Sequence, residues 1–240
     1  MAAMKNDTPM LGVLGGMGPL ATVDFLHKLI EETPAQRDQD HVPVIVYGVP
    51  QIPDRPAAIV GNGPSPLPAM LEGVRVLKQA GASAIAIACN TAHYWYEPLA
   101  EAAAVPVLHI ADAACDALAR RQVRAERVGL IATDGTLAAG FLQSRLESRS
   151  LQPLLNTTEE QAQWVLPAIA CVKRRELAQA HALVSRACEA LHARGAQSII
   201  LACTEIPVAL EYASTPYAAI SVDATRALAQ ACVQWWKEKR

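Results

Sequence analysis

Two stretches of this chain share one pattern, and together they restrict the fold more than any other feature. Residues 84 to 93, Ala-Ile-Ala-Ile-Ala-Cys-Asn-Thr-Ala-His, run apolar up to Cys89 and turn polar at once. Residues 197 to 206, Gln-Ser-Ile-Ile-Leu-Ala-Cys-Thr-Glu-Ile, do the same around Cys203. A short, partly β-branched apolar run that stops at small polar residues reads as a buried parallel strand, with the thiol at its C-terminal end.

The repetition is not confined to the cysteines. Arg127 to Ala138 superimposes on the opening segment at an offset of 117, matching Gly12 to Gly129, Gly18 to Gly135, Leu20 to Leu137 and Ala21 to Ala138. Cys89 and Cys203 are 114 apart, so the two offsets agree within a short insertion. Val105 to Asp112 is echoed by Ala218 to Asp223. Ordered matches at nearly one offset indicate an internal duplication.

Taken in order, the chain alternates strands and helices. Met10 to Leu14 reads as a strand, Gly15-Gly16-Met17-Gly18 as a turn, and Pro19 to Ile30 as a helix with proline in its first turn. A second strand is expected over Val42 to Val49. The loop that follows, with Pro50-Gln51-Ile52-Pro53-Asp54-Arg55 and Gly61-Asn62-Gly63-Pro64-Ser65-Pro66, is too rich in proline and glycine for regular structure and is expected to be a lid or binding loop. A helix over Leu67 to Gln79 stops at Gly81, the third strand ends at Cys89, a helix covers 94 to 104, and a strand spans Val105 to Ile110. This predicts an α/β protein of two similar Rossmann-like parallel domains related by a pseudo-twofold, with the site in the cleft between them. The expected division is residues 1–113 plus 218–240 for the first domain and 114–217 for the second. Ligands of open parallel sheets bind beyond the C-terminal strand ends, where both thiols fall.

Composition narrows the function. The 240 residues carry a formal net charge of −2, without the basic face that nucleic acid requires. Arg120-Arg121 and Lys173-Arg174-Arg175 read as solvated helix ends. No apolar run approaches the ~20 residues of a membrane span. Residues 1 to 10, with Lys5 and Asp7 and no apolar stretch leading to a cleavage site, carry no secretory pattern, so a cytoplasmic location is expected. Six cysteines in a chain of this size are expected to be mostly free thiols. Cys115, Cys171, Cys188 and Cys232 lie in helical patterns and read as core residues.

A cysteine between a strand end and a helix start has backbone N–H groups aimed near its sulfur, which lowers a thiol pKa. Two such thiols facing each other across a cleft can exchange protons with a carbon acid between them. One removes a proton from one face and the other delivers a proton to the opposite face. Asn90-Thr91 and Thr204-Glu205 are placed to hold a substrate carboxylate.

The set Gly15-Gly16-Met17-Gly18-Pro19 with Ala21-Thr22, then Ile52-Pro53-Asp54-Arg55, Cys89-Asn90-Thr91-Ala92-His93 and Cys203-Thr204-Glu205-Ile206 resembles the motifs of the aspartate/glutamate racemase family, on its aspartate side. The resemblance runs in order through nearly the whole chain. It implies a homodimeric enzyme that uses neither pyridoxal phosphate nor a metal and racemises an acidic amino acid, with Cys89 and Cys203 as opposed acid and base. It also implies that Asn90, Thr91 and Thr204 bind the α-carboxylate, that Arg55 and Lys173 meet the side-chain carboxylate, and that Met17 and Gln51 complete the substrate site. One departure is Ala88, where the family often has proline before the first cysteine. Members that lack one cysteine work as one-sided racemases, lyases or other carbon-acid enzymes; both are present here.

Other readings stand beside this one. Gly16-Met17-Gly18-Pro19-Leu20-Ala21 fits the dinucleotide fingerprint after a strand, with Asp38 or Asp40 near the distance of a ribose-binding acid, although both lie before the second strand. Cys89, His93 and Cys203 have the ligand chemistry of zinc. His93 either tunes the Cys89 thiol or is a hydrogen-bonded core residue, and Arg55 either meets substrate or anchors its own loop. A non-catalytic amino-acid-binding module would need the carboxylate-binding groups but not two thiols.

Overall fold

The computed structural model describes residues 8–121 and 126–240. Lys5 and Asp7 lie outside the described residues. Four strands, β1 (Leu11–Gly15), β2 (Val44–Gly48), β3 (Ala84–Ile87) and β4 (Val107–Leu108), form one sheet in the order β2-β1-β3-β4. Four more, β5 (Arg127–Ala132), β6 (Gln152–Leu155), β7 (Ser198–Ala202) and β8 (Ser221–Asp223), repeat that order as β6-β5-β7-β8. All pairings are parallel. The duplication at offset 117 therefore lays β5 on β1, each second in its sheet. Every residue of β1, β3 and β7 is buried, because helices cover both faces and no strand position needs to be polar.

The helices start and stop where the local chemistry allows. Pro19 opens Pro19–Glu32 at a position that needs no N–H partner. Leu67–Gln79 ends as expected, with Gly81 beyond it at φ +93, in the left-handed region that glycine enters freely. The proline-rich loop is less irregular than its composition implies. Arg55–Ile59 is a short helix, capped by Asp54, which accepts from the Ala57 N–H at 2.8 Å, with Pro56 harmless in the first turn. The second strand is shorter than expected, and the helix over 94–104 is split into a 3-10 turn, Thr91–Trp95, and the helix Tyr96–Ala103.

Residues 221 to 223, expected with the first domain, pair with β7 in the second sheet. There its backbone donors and acceptors are paired in register, Ser221 beside Ile199 and Asp223 beside Leu201. The helix after it, Ala224–Lys239, does cross back and packs on Pro19–Glu32 and Ile110–Arg120. Ile110–Arg120 itself runs through the expected boundary at 113. One apolar cluster consequently joins the halves. Leu11 and Ala84 of the first sheet and Val128 and Ile200 of the second share it with Ile110, Leu228 and Trp236 between them.

A buried cation pins the same junction. Lys28 is 1% exposed, with Nζ 2.7 Å from Asp24 and 2.6 Å from Asp223 at the start of the last helix. Burial pulls its pKa down, but the two carboxylates outweigh that and raise it, so the amine is charged. Lys28→Met is expected to lower stability by about 3 kcal/mol in urea unfolding, because it takes the ammonium from between Asp24 and Asp223. A loss below ~1 kcal/mol would assign the pair only surface value.

Candidate active site

Cys203 follows β7 directly and Cys89 lies two residues beyond β3, so the duplicated strands deliver both sulfurs to the C-terminal ends of their sheets. Each is 5% exposed, and both line one small chamber of about 40 Å³. Met17, Arg55, Asn90, Thr91, Lys173 and Thr204 line it as well. Gln51 does not: it is exposed in a turn that puts its neighbour Ile52 inward instead. Asp54, Pro56, Thr133 and Ile169 also line the chamber. Of these, Thr133 had a signal in the sequence, since at offset 117 it is the counterpart of Gly16.

The glycine turn is shaped by its own chain. A Cβ on Gly15 would lie 2.4 Å from Thr22, and one on Gly16, at φ +91, would lie 2.3 Å from the Val49 nitrogen. The Thr22 hydroxyl accepts from the Gly16 N–H and donates to the Gly18 carbonyl, each at 2.9 Å. These contacts account for the glycines without a pyrophosphate. Asp38 and Asp40 form a 3-10 turn ahead of β2, where Asp40 is paired with Arg37 at 2.9 Å. The dinucleotide reading loses both of its supports.

Within the chamber the polar groups fall into two sets. Some are already engaged. The Thr91 hydroxyl bonds to those of Thr133 at 3.0 Å and Thr136 at 2.9 Å, a trio that ties the halves together behind the thiols. Glu205 Oε2 accepts from the Cys203 thiol at 3.2 Å and from the Thr204 hydroxyl at 3.0 Å. Arg55 donates through Nη1 to the carbonyls of Ile52 and Pro53, both at 3.0 Å, so it does anchor its own loop. Others have no partner. Asn90 is 2% exposed, yet neither its Oδ1 nor its Nδ2 makes a hydrogen bond, and Arg55 Nε is likewise buried and unpartnered.

His93 belongs to the scaffold. Its Nε2 accepts from the Ile110 N–H at 3.2 Å, which leaves the proton on Nδ1 to donate to the Cys89 carbonyl at 2.9 Å. Burial lowers its pKa to about 4, so the ring is neutral and both nitrogens are spent on backbone. Neither is left for a metal shared with the two thiols.

The expected depression of the thiol pKa values is overturned. Burial raises Cys89, and this exceeds the lowering by the Arg55 charge and the Ala92 N–H. Burial also raises Cys203, and well above the usual thiol range, because Glu205 adds a like charge beside it. The helix-start N–H groups act in the expected direction, but desolvation among core residues is the larger effect. Both cysteines sit at the margins of apolar clusters, Cys89 with Ile87 and Ala92, Cys203 with Leu201 and Ile206. Cys89 is the easier of the two to ionise.

A second, larger chamber of about 760 Å³ adjoins the first and shares Asp54, Arg55, Lys173 and Glu205 with it. Gly18, Leu20, Val23, Val172 and Arg175 complete much of its wall. The loop after β2 closes over the inner chamber. Its Pro56 approaches the second half so closely that a Cβ on Gly135 would lie 2.8 Å from the proline Cα.

Residues 14–232 match a family model described as Asp/Glu/Hydantoin racemase. Among curated proteins, the chain is similar to the broad specificity amino-acid racemase RacX of Bacillus subtilis, 28% identical over 210 residues, 85% of this chain and 88% of that one. Among solved structures it is similar to the Picrophilus torridus aspartate racemase, with a TM-score of 0.83 and 30% identity, covering 95% of this chain and 94% of that one. The glutamate racemase of Francisella tularensis, at 18% identity and a TM-score of 0.70 over 97% of this chain and 82% of that one, shares the fold.

Proposed function

Since the chain belongs to the Asp/Glu/Hydantoin racemase family, we propose that it interconverts the enantiomers of aspartate, without a cofactor, by proton transfer at Cα between Cys89 and Cys203. The observation that carries this is Asn90. A fully buried amide with donor and acceptor both unpaired costs ~1–3 kcal/mol for each group. Such a side chain is retained where a ligand completes it. An α-amino acid matches it from both sides, its carboxylate accepting from Nδ2–H and its ammonium donating to Oδ1, with Cα held between the thiols.

In this reading the Cys89 thiolate takes the α-proton, and negative charge grows on the α-carboxylate. Asn90 and the backbone at Thr91 and Thr204 are the donors that stabilise that charge, worth most in a dry chamber. The Cys203 thiol then delivers a proton to the opposite face, and the reverse reaction exchanges the two roles. Arg55, with Nε free, and Lys173 meet the side-chain carboxylate. A chamber of about 40 Å³ is too small for an amino acid as it stands, so the loop over 51–66, which supplies Asp54, Arg55 and Pro56 to its wall, moves to admit substrate and then excludes water. The six free, buried cysteines suit a reducing compartment such as the cytoplasm. Among the described residues no helix is long and apolar enough to cross a membrane. The homodimer implied by the resemblance is tested by light scattering at twice the chain mass.

The outer chamber favours a second reading of the substrate range, in which longer side chains are accepted as well. Its three cations, Arg55, Lys173 and Arg175, face two carboxylates that are already engaged, Asp54 at a helix cap and Glu205 at Cys203. That balance selects acidic side chains over neutral or cationic ones. Chiral chromatography of aspartate, glutamate, alanine and lysine after incubation with purified protein ranks them. Aspartate first, with glutamate behind it, is expected; racemisation of alanine or lysine ahead of both would overturn the acidic assignment.

The raised thiol pKa values fix the sign of the pH dependence. Catalysis requires one thiolate, and its population below the pKa grows about tenfold per pH unit. kcat/KM is therefore expected to climb between pH 7 and 9. A flat profile across that range would mean that the thiolate is already formed at neutrality.

A further inference from the structure

The duplication places equivalent residues two positions beyond each cysteine, and there the halves have diverged. After Cys89 that position is Thr91, whose hydroxyl is tied into the threonine trio. After Cys203 it is Glu205, 7% exposed, whose Oε2 accepts directly from the thiol at 3.2 Å. Cys89 has Arg55 beside it instead. One thiol therefore has a proton acceptor in contact and the other has a cation.

Glu205 also faces outward. It lines both the thiol chamber and the larger chamber, and its second oxygen, Oε1, lies toward Gly18, 3.7 Å from where a Cβ on that glycine would stand. Glycine at that place keeps the approach to the carboxylate open from the outer side. We infer that Glu205 is the proton relay of Cys203, passing the thiol proton to and from water in the outer chamber, while the proton held by Cys89 has no such exit as long as substrate fills the inner chamber. This rests on the racemase reading above.

The step is a proton transfer with no redox change. The Cys203 S–H bond breaks and a Glu205 O–H bond forms, leaving a thiolate and a neutral carboxylic acid. The acid gives that proton to chamber water, and the reverse sequence returns the thiol. Loss of the proton from Cys203 without such a partner would put two anions side by side in a buried chamber. Transfer to Glu205 leaves a single negative charge on the pair. The relay also resets the Cys203 side after each turnover, while Cys89 exchanges its own proton once product has left the chamber.

The consequence is an asymmetry in isotope exchange. A proton taken from substrate by Cys203 is replaced by solvent before it can be returned; one taken by Cys89 is returned unchanged. The test uses the intact protein in deuterated buffer with L-aspartate and D-aspartate separately, and with the two enantiomers of glutamate. Deuterium at Cα of the recovered substrate is read by mass spectrometry after chiral separation, at low conversion. Deuterium is expected in the product from either enantiomer but in the recovered substrate of one enantiomer only. In the isosteric Glu205→Gln variant, exchange per racemisation event for that enantiomer is expected to fall at least tenfold. Equal labelling of both recovered enantiomers by the wild-type protein would overturn the relay, as would an unchanged exchange ratio in the glutamine variant. Absence of racemisation and of exchange with all four compounds would overturn the racemase reading and the relay with it. The wild-type arm decides the question even if the variant does not fold.

Discussion

Cys89→Ala and Cys203→Ala are each expected to reduce racemisation of aspartate by roughly 10³-fold or more, within the 10²–10⁴ range that a positioned acid or base contributes. The loss should be in kcat, with the dissociation constant for aspartate changed only a few-fold. In the proposed site the groups that hold the α-carboxylate and α-ammonium are separate from the sulfurs, since neither polar atom of the Asn90 amide has a partner within the protein. The two variants should also differ from each other. Cys89→Ala leaves Cys203, which exchanges the proton it takes through Glu205, so this variant keeps α-hydrogen exchange with one enantiomer; Cys203→Ala leaves Cys89, which returns its proton unchanged, so exchange is lost with both. Isothermal titration, polarimetry and exchange on the same preparations check all three parts. A variant that still racemises at the wild-type rate in both directions would remove that cysteine from the mechanism, and unchanged binding without any wild-type turnover would indicate a binding module.

The second large effect is expected at Asn90, and its sign on activity is opposite to its sign on stability. Asn90→Ala would remove the two proposed hydrogen bonds to charged groups of the substrate, each worth ~1.5–3 kcal/mol, so kcat/KM should fall roughly 100- to 1,000-fold. The unliganded protein, however, loses a buried amide with no partner on either atom. Relief of that desolvation offsets the small cavity left behind, and Tm should be unchanged or higher. A residue whose removal costs activity while sparing stability is one held for a ligand. A lowered Tm together with unaffected kcat/KM would instead mark Asn90 as part of the scaffold.

Much of this site was legible in the sequence, for an identifiable reason. An apolar run that ends at a cysteine is a local pattern, and its recurrence at nearly constant offset carries tertiary information that a single copy lacks. The same offset set β5 on β1 and sent both thiols to strand ends, where they line one chamber. What stayed hidden depends on distances between segments far apart in the chain. The offset sets Thr133 opposite Gly16, but the bond of its hydroxyl to Thr91, 42 positions away, has no local signature. Ile169 enters from the helix Leu166–Lys173 of the other half. The thiol pKa direction was misjudged because local chain geometry reveals the N–H groups but not the surrounding apolar shell, and the shell is the larger effect. Gln51 beside Ile52 shows a similar limit: a turn decides which of two neighbours faces inward, and proline-rich composition does not reveal the turn. The exchange of β8 into the second sheet, with the following helix returned to the first half, is a pairing choice that a strand of three residues does not announce.

The central property proposed for this protein is interconversion of enantiomers by its own side chains. Polarimetry tests it directly. Purified protein is incubated with L-aspartate and, separately, with D-aspartate, in the presence of a metal chelator and a hydrazine trap for carbonyl cofactors. Decay of both rotations to zero, at rates unaffected by chelator and trap, is the predicted result. Rotation that holds steady from either side, or decay that stops when chelator or trap is added, would contradict it.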